Sequence, residues 1–167
     1  MNIGIRNSIK SRVLQKNENV VVTGCPCHIL HNAAGHAANR FTEETSFDIE
    51  DHSVDLYYWF DKSSKRKGAL AEYYQFCDQS YVEVVRHVLV RWLSLEQCVN
   101  LELKKYVSLK SYFQSEEFNS ETRFQRLNTA FSNPLVEVYL LFYQYALPIF
   151  TNFNKFLQRE EPLIHIL

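Results

Sequence analysis

Glycine and proline are scarce, four of each in 167 residues. That excludes a collagen-like repeat and a low-complexity tail. The four cysteines, Cys25, Cys27, Cys77 and Cys98, are too few and too irregularly spaced for a disulfide scaffold at this length. Net charge is almost absent, −1 at neutral pH, so the whole chain offers no strong field to hold nucleic acid, and any such contact has to come from a local patch. Residues 1–19 are polar and basic without the apolar run of a signal peptide, and a reducing compartment is the default expectation. The most apolar stretch, Leu135 to Phe150, contains Glu137, Gln144 and Pro148 and is shorter than the roughly 20 residues a bilayer requires. It reads as buried helix, and no membrane partner is expected. No aspartate precedes Asp48. The later acids fall on polar helix faces or in loops, and nothing resembles a paired-carboxylate site, a phosphate-binding glycine loop or a hydrolase elbow. No small-molecule site is expected.

What the chain does hold is apolar and aromatic side chains, 46% and 14% of its residues. The fold class expected is mostly α. Residues 3–14 place Ile3, Ile5, Ile9, Val13 and Leu14 at loosely helical spacing. After a polar break, Val20-Val-Val22 reads as a short buried strand. Thr23-Gly24-Cys25 turns the chain, and Pro26 suits the first position of a helix whose stripe is Leu30, Ala33, Ala34, Ala37, Ala38 and Phe41. Residues 1–42 thus read as helix–strand–helix, a piece of an α/β layer.

Beyond a boundary near residues 42–47 no convincing strand is expected, and residues 43–167 read as all helical. Asp48–Phe60 has acids at its start that suit a helix N-terminus. Helices are expected over Ala69–Cys77, Tyr81–Val90, Leu93–Phe113 and Phe124–Phe131. The longest, Leu135–Leu157, should kink near Pro148.

Three constellations carry potential chemistry. Cys25-Pro-Cys27-His28-Ile-Leu-His31, with His36 close behind, has borderline zinc ligands. A structural zinc site needs a second pair, and none is evident, so buried cysteines and packed histidines at a strand–helix turn are the favoured reading and zinc is not expected. Arg91-Trp92 offers a guanidinium and a stacking face, as binders of single strands and hairpins use; on its own the favoured reading is a surface charge beside a core aromatic. The basic run Lys62, Lys65, Arg66 and Lys67 could contact phosphates without reading sequence.

Taken in order, several segments resemble the hAT superfamily of DNA transposases and the host proteins derived from them. These are Asn2–Ile9, Gly24-Cys-Pro-Cys-His-Ile-Leu-His31, Asp61–Lys67, Arg91-Trp-Leu-Ser-Leu-Glu-Gln-Cys-Val99, Leu109–Phe113 and Leu147–Asn154. The resemblance implies an RNase H-like core interrupted by a large helical insertion, with three carboxylates holding two metal ions. It places the second acid just before the segment matching Asn2–Ile9 and the third beyond residue 167. Residues 1–42 would then be a truncated core remnant and residues 43–167 most of the insertion, in an internal fragment with no catalytic residue and no catalytic metal of its own. Cys25 and His28 match the family's Cys-x-x-His element, which buttresses the core. Arg91 and Trp92 match its Arg-Trp element, implicated in handling a flipped or hairpin DNA end. Leu89-Val90 stand where many relatives carry Ser-Thr.

The expectation is therefore a non-enzymatic, transposase-derived binding or scaffold protein, nuclear by resemblance and otherwise cytoplasmic. It would bind DNA weakly, and a protein partner would cover the surface the missing core leaves exposed. The competing expectations are a piece of a complete transposase whose acids lie outside this chain, and a domesticated nuclear protein-interaction module.

Overall fold

The computed structural model describes residues 8–22, 24–88, 92–115 and 119–159. Among them are eight α-helices and no strand: α1 (Ile9–Lys16), α2 (Pro26–Thr45), α3 (Ile49–Phe60), α4 (Ser64–Phe76), α5 (Trp92–Lys104), α6 (Tyr106–Ser115), α7 (Thr122–Ser132) and α8 (Leu135–Leu157). The strand expected at Val20–Val22 does not form. A β-branched triplet needs a neighbour to take its backbone groups, and here the Val20 N–H closes a turn onto the Asn17 carbonyl while Val21 stands out in solvent. Nothing in the described fold supports an RNase H-like remnant. α1 starts on a reciprocal Ser8–Ser11 capping box and buries none of its own residues.

Local signals set most helix ends. Pro26 opens α2 at its first turn, and Ser46 closes it in the left-handed region. α2 runs through the residue where the sequence pattern changes character, and its Phe41 packs against Tyr139, Phe142 and Tyr143 of α8. Asp48 caps α3, its Oδ1 accepting from the Glu50 and Asp51 N–H groups at 2.9 and 3.0 Å. Two of the four otherwise orphaned donors are thereby satisfied. α8 is a single helix with Pro148 inside it.

Two expected helices are corrected. Of the helix expected over Tyr81–Val90, residues 81–88 are not helical, and Leu89 and Val90 lie outside the described residues: α4 ends at Phe76, Asp78 turns left-handed at φ 56°, and residues 79–88 carry no regular structure. Side chains from α5, α6 and the α5–α6 junction meet this segment's polar groups instead. Lys105 donates its ammonium to the Ser80 carbonyl (2.6 Å), Ser108 donates to Gln79 Oε1 (2.9 Å), Cys98 donates to the Val85 carbonyl (3.3 Å), and Ser94 Oγ accepts the Val88 N–H (3.0 Å). Leu93–Phe113 is not one helix either. It breaks at Lys105, between α5, which lies along α8, and α6, which packs on α4 and α7.

The core is one aromatic-rich cluster. Trp59 and Phe60 of α3 meet Tyr112 and Phe113 of α6; Phe113 in turn stacks on Phe131 of α7, ring centroids 5.0 Å apart. Trp59 Nε1 donates to the Tyr112 hydroxyl at 3.1 Å, which removes the cost of burying the indole N–H. α5 and α8 close the other side through Leu95, Val99, Val136, Leu140 and Leu147.

A polar pair is built into this core. His52 Nε2 of α3 lies 2.6 Å from Glu102 Oε1 of α5, with side chains 5% and 2% exposed. The His52 ring is held between Phe47 and Phe131. Glu102 Oε2 and Ser53 Oγ have no protein hydrogen-bond partner, and both residues line a cavity of about 10 Å³. Removing one partner of such a pair strands the other in low dielectric, while replacing both with apolar groups does not. Glu102→Leu and His52→Phe should therefore each cost about 3–5 kcal/mol in urea denaturation. The double variant should recover most of that loss; additive losses in the double would show that the pair is not the source of the cost.

Candidate nucleic-acid interface

The basic run lies at the corner between α3 and α4. Ser63 caps α4 by accepting the Arg66 N–H at 3.3 Å, so Lys65, Arg66 and Lys67 sit in the first helical turn and Lys62 in the corner. Cations at the positive end of a helix dipole are unfavourable without an anion nearby. Two of the four are supplied with one from within the fold. Arg66 lies flat over the Trp59 ring, 3.5 Å from its centroid, donates to the Trp59 carbonyl at 3.2 Å and pairs with Glu121. Lys67 pairs with Glu83 at 3.0 Å, and that bond raises its pKa. Arg66 and Lys67 thus tie α4 to α3, to the chain before α7 and to the 79–88 segment. Lys62 and Lys65 form no ion pair among the described residues.

One turn before Lys62, Tyr58 extends the same edge of α3. Its ring is half-exposed and has the guanidinium of Arg123 (α7) at 5.7 Å and that of Arg86 at 6.0 Å. Arg86 also donates to the Tyr58 hydroxyl at 3.3 Å. Beneath this, Asp55 of α3 accepts from Arg123 Nε at 3.0 Å and takes both Nε and Nη2 of Arg126, at 2.6 and 2.8 Å. Two guanidiniums thus share the Asp55 carboxylate, with Asp51 close enough to Arg126 to add its charge. The edge therefore presents Lys62, Lys65, Arg86 and the Arg123–Arg126 pair around a tyrosine face, the mix of phosphate contact and stacking platform that single-strand binders use.

Residues 79–88 run beside this edge, held there by His87 as well. Its Nδ1 lies 3.0 Å from Ser94 Oγ, and burial pushes its pKa down, which keeps the imidazole neutral. The segment leads toward Arg91, which lies outside the described residues, as do Leu89 and Val90; Trp92 opens α5. The basic run and the approach to Arg-Trp therefore share one side of the fold.

The Cys25–His28 element does not have the buried setting expected of it. Cys25 is exposed and caps α2 with its backbone carbonyl, which accepts from the His28 and Ile29 N–H groups. His28 is exposed, with Asn32 Nδ2 3.4 Å from its Nε2. Among the described residues no strand lies beside the turn. Among the described residues no three His, Cys, Asp or Glu side chains gather in a way that could hold a metal ion. The buried thiol is Cys98, pushed up to about 12 by burial and by the charge of Glu102, so it remains a protonated donor to Val85.

Tyr58, Arg86, Arg123 and Arg126 are functional candidates that the sequence alone does not single out. Arg123 and Arg126, three apart on one helix, were the available signal; their partner Asp55 lies about seventy residues away in the chain. No family model, characterised protein or solved structure matches this chain.

The Asp55 carboxyl is a handle on this edge. Burial alone would raise it, but hydrogen bonds and charge from Arg126 and Arg123 outweigh that and leave it below the usual aspartate range. A depressed folded-state pKa means the stabilisation is present above the unfolded value and is lost as pH falls through the folded one. The stability gap between the natural chain and Asp55→Asn should be constant from pH 7 to about 5 and should close as the pH drops below about 4. Denaturant midpoints measured across that range check it, and a gap that persists at pH 2 to 3 would rule the assignment out.

Proposed function

We propose that this chain is a non-catalytic helical binding module of transposase-derived type that contacts nucleic-acid backbones weakly through the α3–α4 edge. The observation that carries the reading is the exposed Tyr58 ring set between Arg86 and Arg123, one turn from the unpaired Lys62. An aromatic face ringed by cations suits an unstacked base with its flanking phosphates. The order of segments resembling hAT transposases gives the same direction from sequence, since their Arg-Trp element serves DNA ends, and a nuclear site of action goes with it.

The carboxylates of this edge are engaged within the fold: Asp55 by two arginines, Asp61 by the Tyr57 hydroxyl, Glu83 by Lys67 and Glu121 by Arg66. In this reading, cutting DNA is left to acids outside this chain, and the chain holds or orients a strand. A protein-interaction role is the second reading, favoured by the exposed apolar side chains along α8.

Fluorescence polarisation with a labelled 20-nucleotide single strand and a hairpin of equal length tests the first. Expected are dissociation constants of about 10⁻⁴ to 10⁻⁶ M and a log–log salt slope of about −2. Lys62→Ala with Lys65→Ala and Arg86→Ala should flatten that slope by about 2, and Tyr58→Ala should weaken binding about tenfold without changing it. Affinity that ignores both salt and these substitutions would sink the proposal.

A further inference from the structure

We infer that the outer face of α8 is a self-association surface that seats α8 of a second copy of this chain, antiparallel to the first. This does not rest on the nucleic-acid reading; the α3–α4 edge contributes nothing to it.

α8 is apolar around most of its circumference, with its polar Glu137, Gln144 and Lys155 on one flank, and so wide an apolar surface calls for cover on more than one side. Only one side is covered. Val136, Leu140, Tyr143, Leu147 and Thr151 are buried, with α5 along the helix and α2 at its flank. On the opposite side Leu135, Val138, Phe142, Tyr145, Ile149 and Phe153 are exposed, Tyr145 at 77% and Ile149 at 69%, with one face of the Phe142 ring stacked on Phe41 of α2. The first five follow one another at alternating steps of three and four, the spacing of a helix–helix seam, and Phe156 falls on its continuation. The exposed parts of these side chains amount to roughly 700 Å² of surface, above the 300–600 Å² of the largest patch on a typical monomer. That is close to the roughly 800 Å² per partner of a stable interface.

A second copy fits this face better than an unrelated partner because the stripe is self-complementary about its own middle. With a two-fold axis beside Tyr145 and Ala146, Leu135 meets Phe156, Val138 meets Phe153, and Phe142 meets Ile149, each small or branched residue against a ring. Two-fold association of one patch with itself is the commonest way soluble chains pair. Charge sets the direction. α8 carries only Glu137 and Lys155, near opposite ends and about five turns apart, hence on one flank. An antiparallel copy brings Glu137 toward its neighbour's Lys155 and opposes the helix dipoles; a parallel copy sets like charge beside like.

Sedimentation equilibrium of the full chain over a wide concentration range reads the association, with circular dichroism as the control for folding. The natural chain should be a dimer at micromolar concentration. Tyr145→Glu with Ile149→Glu should raise its dissociation constant about 30-fold or more with the helical signal unchanged, since both side chains already stand in solvent.

Direction is read by cysteine crosslinking in a Cys25→Ser, Cys27→Ser, Cys77→Ser background. Tyr145→Cys should join to itself and Val138→Cys should not, while Val138→Cys mixed with Phe153→Cys should join. A chain that stays monomeric at the highest concentration leaves the face to another segment, another protein or a lipid surface and overturns the proposal. A dimer that survives the glutamates, or a Val138→Cys self-crosslink as fast as that of Tyr145→Cys, overturns it too.

Discussion

The contact on which the rest of the fold depends is the meeting of α3, α6 and α7 through their aromatic rings. Trp59, Phe60, Tyr112, Phe113, Phe124 and Phe131 fill the centre with planar side chains, most pairs at tilted or edge-on angles and Phe113 stacked on Phe131. These are the arrangements ring quadrupoles prefer. Rings give large buried area for little rotamer entropy, so short helices of ten to twelve residues hold together although none would be stable alone. They also reach farther than aliphatic side chains, which leaves room at the margins for polar groups such as His52 and Glu102.

Charge is arranged around this core in pairs that join distant parts of the chain. Arg66 covers Trp59 and reaches Glu121; Arg126 and Arg123 grip Asp55; Lys105, itself buried, lies 5.0 Å from the Tyr74 ring and holds the Ser80 carbonyl. Each cation sits on an aromatic or amphipathic surface that shields its stem. The cations without an ion pair among the described residues, Lys62, Lys65 and Arg86, collect on the α3–α4 edge, where Glu83, Glu121 and Asp55 are engaged by Lys67, Arg66 and the Arg123–Arg126 pair and Asp61 accepts from the Tyr57 hydroxyl. A nearly neutral chain can in this way carry a locally basic surface.

How far the sequence spoke for itself depended on where the governing partner lay. The starts of α2 and α3 were legible because Pro26 and Asp48 act on their own first turn. α7 and α8 were legible because their apolar periods are long and bounded by Asn133-Pro134. The strand at Val20–Val22 was misread because β-branched composition states a preference that only a neighbouring strand can satisfy. Residues 81–88 were misread as helix because Ser94, Cys98, Lys105 and Ser108, well separated along the chain, supply hydrogen bonds to the 79–88 segment, and periodicity carries no trace of that. The basic run was visible as four charges. That Glu121 and Glu83 engage two of them, and that Tyr58, Arg86 and Arg123 extend the surface, follows from the packing of α3 against α7.

α8 is the last of the described helices to leave the ribosome, yet it completes the burial of α5 and is the partner against which α2 lies. A chain made from its N-terminus must therefore carry the inner faces of α2 and α5 unsatisfied until some sixty residues after α5 begins. The cluster of α3, α4, α6 and α7, all of which precede α8 in the chain, can form in the meantime. Synthesis speed between Thr122 and Leu157 thus becomes a determinant of yield, and slow codons there would lengthen the interval in which a half-built bundle is open to aggregation.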